Sequence, residues 1–204
     1  MHSVIQSAPS LRDRRIADTS RALKAAARRA TADRGLSGFT IDELCAEVGI
    51  ARRTFFNYFA SKENAVLGLP IRADLSELDE PFVAAGPSPD SATMIASIAE
   101  LLLARWEQME LSASDASEIG PAIQREPQLI GHLMELAAQG ERHDIGLVER
   151  REGLTEGDVR AATAVHLLGA LLRPSSIEYF QDTGEEFRTI YLRRLALARE
   201  LFTA

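Results

Sequence analysis

The stretch from Phe39 to Glu63 constrains the fold of this chain more than any other. Thr40 and Glu43 form a capping-box pair, and Phe39 and Leu44 occupy the hydrophobic-staple positions around it, so a helix opens here. Ile41, Leu44, Cys45 and Val48 share one face at helical spacing, and Gly49 follows where a left-handed residue closes the helix. The break at Gly49 is therefore a turn. A second helix begins near Ala51, with Phe55 and Phe59 at i, i+4 to pack against the first. A third starts with Ser61 as its cap and Lys62 in its first turn, leaving backbone donors suited to a phosphate.

Turning both phenylalanines inward leaves Arg52, Arg53, Phe56 and Asn57 pointing elsewhere. Two arginines, an amide and an aromatic on one short helix suit a major groove, where arginine pairs with guanine and asparagine with adenine. A helix, a tight turn and a second helix with that outward face make a DNA-reading head.

The pattern Thr40-x-x-Glu43-Leu44, Gly49-Ile50, Arg52-Arg53-Thr54-Phe55-Phe56-x-Tyr58-Phe59, Ser61-Lys62-Glu63 resembles the N-terminal signature of the tetracycline-repressor-like (TetR) family of transcriptional regulators. The resemblance covers the first third of the chain. It implies an all-α fold: a flexible arm over residues 1–10, a three-helix helix-turn-helix DNA-binding domain over 11–62, and a helical effector-binding and dimerisation domain over 63–204. It also implies a homodimer that binds double-stranded operator DNA and releases it when a small molecule occupies the second domain. By the same resemblance Thr40, Tyr58 and Lys62 fall to phosphates; the outward face itself makes Arg52, Arg53, Thr54 and Asn57 the candidates for base edges, with Phe56 on a thymine methyl or the sugar backbone. Ala51 departs from the pattern, which commonly has serine there, and forfeits a cap worth about 1 kcal/mol. The run FNYFASKENAVLGLP is similar to an actinobacterial branch that takes acyl-CoA-like ligands.

Charge supports a basic head. The net charge of -7 over 204 residues hides a division: residues 1–62 hold 11 Lys and Arg against 6 Asp and Glu, and the remainder holds 12 against 24. One end of the molecule is drawn to phosphate and the body is repelled. The single cysteine, Cys45, sits among apolar helix positions and is expected to be buried in a protein of the reducing cytoplasm. The N-terminus has no signal-peptide core, and no apolar run reaches the length of a membrane span.

Along the chain, Leu11 to about Arg34 reads as an Ala- and Arg-rich helix with Ile16, Leu23, Ala27 and Ala30 on its apolar side and Arg28 and Arg29 within reach of the DNA backbone. The helix from Lys62 is expected to continue to Pro70, kink there at a point suited to a hinge, and resume from Ile71 to Leu78. Pro81 to Asp90 reads as a linker. Helices follow from about Ser91 to Met109 and from Pro127 toward Arg151, with one short helix and loops between Ser112 and Pro127. Thr155 with Asp158 should open a helix over roughly Glu156 to Phe180, apolar around most of its circumference, and the last helix spans about Glu185 to Phe202. These two are expected to form a four-helix dimer interface through Leu167, Leu168, Leu171, Leu172, Phe187, Ile190, Tyr191 and Leu195.

Phe82, Met94, Trp106, Met109, His132, Met134 and His166 are large or adaptable groups on helices that surround the effector in this family, and suit an apolar or amphipathic molecule. Each is equally at home in a core. The histidines have no i, i+4 partner and no HExxH, and His143 beside Asp144 and Glu141 reads as a solvated face, so neither a catalytic site nor a metal or cofactor is expected. The favoured function is a ligand-responsive regulator, acting as a repressor. A DNA-binding regulator without an effector is the alternative, and a small helical enzyme or carrier is more distant.

Overall fold

Ten helices and no strand occur among the described residues of the computed structural model, which are 11–70, 77–109, 111–112, 115–181 and 184–203. The N-terminal arm and residues 71–76 of the segment expected to resume after Pro70 lie outside them. Helix α1 runs from Leu11 to Arg34, followed by a 3-10 turn, Leu36–Gly38. Then come α2 (Ile41–Val48), α3 (Arg52–Tyr58) and α4 (Lys62–Leu67). The rest is built from α5 (Asp79–Ala84), α6 (Ser91–Gln108), α7 (Asp115–Arg125), α8 (Gln128–Glu152), α9 (Val159–Tyr179) and α10 (Phe187–Thr203).

Two apolar cores organise these elements. The first gathers Leu23, Ala26, Ala27 and Ala30 of α1 with Leu36, Phe39, Leu44, Cys45, Phe55, Phe59, Ala65, Val66 and Leu67. Ala122 of α7 and Leu129 of α8 also belong to it, so the head is closed from behind by helices distant in sequence. The boundary expected after residue 62 thus falls inside α4, whose apolar residues belong to the head's core. The second core joins Phe82 of α5, Ile98, Ala99 and Leu101 to Leu103 of α6, Leu147 and Val148 of α8, Ala161, Ala164, Val165 and Leu168 of α9, and Phe187, Tyr191 and Leu195 of α10.

Several local expectations change. Ile16 is exposed, because α1's inward face begins only at Leu23. Helix α4 stops at Leu67, before Pro70: Gly68 takes a left-handed conformation (φ 74°), and its main-chain N–H closes on Ala65 and Asn64. A β-carbon at Gly68 would sit 3.2 Å from Leu111 and 3.1 Å from the Arg28 guanidinium, so space as well as backbone favours glycine here. The first residues of the expected linker form part of α5 and bury Phe82. Asp158, not Thr155, caps α9, with its carboxylate accepting from Arg160 N–H at 2.8 Å. Helix α7 runs through Gly120 and Pro121 without breaking.

Arg28 ties α1 and α4 of the head to α7, the helix that closes it from behind. It is 3% exposed, its Nε donates to the Val66 carbonyl at 2.9 Å, and its guanidinium pairs with Asp115 and Glu118 of α7. The contact with the DNA backbone expected of Arg28 is therefore closed to it, and Arg29 is paired with Glu47. Two further bonds cross the same seam: Leu36 N–H donates to Glu126 at 2.8 Å, and the His132 ring donates through Nε2 to Asn64 Oδ1 at 2.8 Å.

Burial opposes ionisation of Asp115, but the N–H and hydroxyl of Ser112 and the guanidinium of Arg28 outweigh it and hold the carboxyl below the usual range. A depressed carboxyl pKa contributes stability above the unfolded-state value, about 3.9, and loses it as pH falls through the folded value. Acid unfolding should therefore steepen below about pH 4, and Asp115→Asn should flatten that limb in a denaturation series from about pH 5 to 2. An unchanged slope would remove Asp115 from the account.

Candidate nucleic-acid interface

The reading head is positioned by its caps. Thr40 Oγ1 accepts from Glu43 N–H at 3.1 Å, and Glu43 Oε2 accepts from Thr40 N–H at 2.9 Å, the full reciprocal box. Gly49 takes the left-handed turn (φ 77°), and its N–H bonds Cys45 O at 2.9 Å. Ala51 occupies the N-cap of α3 without a side-chain bond, as its methyl requires. Helix α3 is then fixed from beneath: Phe55 and Phe59 are 0% and 1% exposed, with ring centroids 6.1 Å apart. Cys45 is 4% exposed, and burial raises its thiol pKa, so it is a core residue.

The opposite face of α3 carries Arg52, Arg53, Phe56 and Asn57, all exposed, with Thr54 and Tyr58 half-buried at its edges. Arg52 is held in place by Asp42 at 2.8 Å and lies 5.5 Å from the Phe56 ring centroid. That pair is exposed on both sides, so it orients Arg52 at little energetic gain. Arg53 and Asn57 project beside it. The face therefore offers a guanidinium fork, an amide and an aromatic edge, the groups that read guanine, adenine and a thymine methyl.

Lys62, expected at a phosphate, is also engaged within the fold. Its ammonium donates to the Leu36 and Phe39 carbonyls, the latter at 2.9 Å, and sits 4.7 Å from the Phe39 ring centroid. It braces the chain leading into α2. Ser61 caps α4 by accepting from Asn64 N–H at 3.2 Å.

The residues expected around an effector do not converge. Phe82 is buried under the Arg151 guanidinium (4.6 Å), His132 lies at the head seam, and Met134 and His166 are exposed. Met94 and Met109 are half-buried on and just after α6. Trp106 lines a cleft of about 280 Å³, with Leu103, Leu111, Tyr179 and Phe187, and with Glu107, Glu186 and Arg188 at its polar side. Its floor is the Trp106–Phe187 stack, with centroids 3.7 Å apart, and Tyr179 OH donates to Leu111 O at 3.1 Å. His143 is not simply solvated either, since its Nε2 meets Asp79 Oδ2 at 2.6 Å beside Arg105.

The residues expected at a partner interface also divide. Leu168, Phe187, Ile190, Tyr191 and Leu195 lie in the subunit's own interior at 0–7% exposure, because α9 and α10 pack on each other through that side. Leu171 and Leu172 are half-buried, and Leu167 is 49% exposed. Sequence periodicity marked both helices as apolar on two sides but did not say which side the subunit keeps for itself.

No helix among the described residues is long and apolar enough to cross a membrane. Residues 23–67 match the family described as bacterial regulatory proteins, tetR family, a segment that begins at the first core residue of α1 and ends with α4. The chain is also similar to the HTH-type transcriptional regulator TcmR of Streptomyces glaucescens, at 26% identity over 182 residues, covering 84% of this chain and 77% of the relative. With the capped α2, the glycine turn and the exposed polar face of α3, these likenesses give residues 23–67 a DNA-reading head of the tetR type and support a DNA-binding transcriptional regulator.

Proposed function

We propose that the chain is a repressor that binds a pseudo-palindromic operator as a homodimer and releases it when a small apolar or amphipathic molecule occupies the helical body. The observation that carries the reading is the outward face of α3, where Arg53 and Asn57 are exposed beside an Arg52 already oriented by Asp42. Thr40 and Tyr58 flank that face and take phosphates; Arg52, Arg53, Thr54, Phe56 and Asn57 take base edges. Lys62 acts through the fold, by holding the start of α2.

Dimerisation is supported by the side of α9 and α10 that the subunit does not cover. Thr163, His166, Leu167, Ala170 and Ile177 of α9 are exposed on one stripe, as are Leu192 and Ala196 of α10. Small and apolar residues predominate in it, and at helical spacing they suit close packing against the same helices of a second copy. The cleft beneath Trp106 supports an effector site, and it lies next to the head: Leu111, which lines it, would touch a β-carbon at Gly68, where α4 ends. A ligand that moves Leu111 therefore acts at the end of the head's own core.

The test is a gel-shift series on duplexes selected for tight binding. Arg53→Ala should cost about 1–3 kcal/mol of discrimination at one position in each half-site, while binding to scrambled DNA persists. Equal affinity of the parent chain for palindromic and scrambled duplexes would end the operator reading. The scatter of the expected effector residues favours a second reading, a regulator with no effector. A thermal-shift screen of hydrophobic acids, acyl-CoAs and aromatic drugs separates the two: a compound that stabilises the chain and lowers DNA affinity supports the first, and none among them supports the second.

A further inference from the structure

The arginines of α1 divide sharply by position. Arg28 is buried in its contacts with α4 and α7, Arg29 is paired with Glu47, and Arg21 is paired with Asp18 at 2.9 Å. Arg12 and Arg15, one helical turn apart near the start of the helix, are exposed and line a cleft of about 320 Å³ with Ile16, Thr19 and Tyr58. Tyr58 is the last residue of α3, so the cleft continues the reading face around the end of that helix.

Its lining is suited to one kind of ligand. Two arginines and a tyrosine line it, and no carboxylate is among the described lining groups. The Thr19 hydroxyl donates its proton to the Arg15 carbonyl at 2.8 Å, which leaves the guanidiniums and the Tyr58 hydroxyl as donors. Ile16, 44% exposed, contributes an apolar wall that no core claims. Paired guanidinium forks recognise phosphate oxygens, and an apolar wall beside them fits the sugar of the same nucleotide.

We propose that the cleft between α1 and the end of α3, formed by Arg12, Arg15, Ile16 and Tyr58, binds a backbone phosphate of the DNA next to the bases read by α3. This makes α1 a second DNA-contacting element as well as the head's support. The proposal rests on the DNA-binding reading and adds to it a contact that carries no base information: it fixes the register in which Arg53 and Asn57 meet their bases.

The experiment uses the intact chain, a selected operator duplex and a scrambled duplex of equal length. Arg12→Ala/Arg15→Ala should weaken binding to both by a similar factor, on the order of tenfold, and lower the magnitude of the salt slope by about 2 if each subunit of a dimer loses one phosphate. Phosphate ethylation interference should show a position flanking each half-site that is required by the parent chain and not by the double variant. Arg14→Ala, a neighbouring exposed arginine outside the cleft lining, is the control for loss of charge alone. Arg12→Ala and Arg15→Ala singly should each cost more than Arg14→Ala. Single losses equal to that of Arg14→Ala, or an unchanged ethylation pattern, would overturn the cleft and leave only a general basic field. If Arg53→Ala relaxes specificity while the double variant binds as the parent does, the DNA reading stands and the cleft falls. Failure of the parent chain to bind either duplex would overturn both. An unchanged thermal midpoint in the double variant keeps folding out of the comparison, as expected for exposed side chains.

Discussion

Arg28→Ala should lower stability by about 3–5 kcal/mol, because it strands the buried Asp115 carboxylate without its cation and leaves the Val66 carbonyl without its donor. For a chain of this size that corresponds to a fall of roughly 6–20 °C in the thermal midpoint, read by circular dichroism. Glu118 contributes little to this figure, since its side chain is half exposed. The loss should be largely recovered in Arg28→Met/Asp115→Leu, where neither charge is buried and the volume is retained. A midpoint within about 2 °C of the parent for the single variant would mean that the seam between head and body carries no such load. DNA affinity of the double variant is then informative: α7 would still back the head through Ala122, but without its ion pair to α1 and without the hydrogen bond from α1 to the Val66 carbonyl of α4.

Phe55→Ala should cost a similar amount, about 3–5 kcal/mol, because the ring is fully buried between the helices of the head and its removal leaves a cavity. It packs edge-on to Phe56 with centroids 5.4 Å apart and obliquely against Phe59, so the loss also releases the axis of α3. Operator binding should disappear with it, even at temperatures where the body remains helical. Phe56→Ala, one residue further on and 40% exposed, should leave urea denaturation within about 0.5 kcal/mol of the parent while weakening operator binding. Equal midpoints for the two variants would mean that inward and outward faces of α3 are wrongly assigned.

The contrast between neighbours shows how much of the head was legible before any coordinates. Phe55 and Phe59 are four apart, so one helix turn carries both to the same side, and Arg52, Arg53, Phe56 and Asn57 fall on the rest. Thr40, Glu43 and Gly49 act through bonds to residues within a few positions, and each was found where its local chemistry put it. The partners of Lys62 and Arg28 were not legible, because an exposed-looking cation has no local signal for its partner. The Leu36 and Phe39 carbonyls lie 26 and 23 positions from Lys62, and Asp115 lies 87 positions from Arg28.

The body was less legible for the same reason. Helix α9 is apolar around most of its girth, so periodicity could not choose between the side that meets α10 within the subunit and the side left open. Tertiary packing chose it: Leu168 and Tyr191 went inward, with the Tyr191 hydroxyl donating to the Leu168 carbonyl at 3.1 Å, and Leu167 stayed outside. The aromatic cleft depended on a meeting of α6, the end of α9 and the start of α10, three segments with no shared motif.

By itself, the sequence determined the helices of the head, their caps, the turn at Gly49 and the polar face of α3, because these depend on interactions spanning one or two helical turns. Only the tertiary structure decided which arginines of α1 are spent on the fold and which remain outward. Ion pairing is a matter of distance in space, and Arg28 differs from Arg12 and Arg15 by the arrival of α7 at one end of α1 and of Tyr58 at the other.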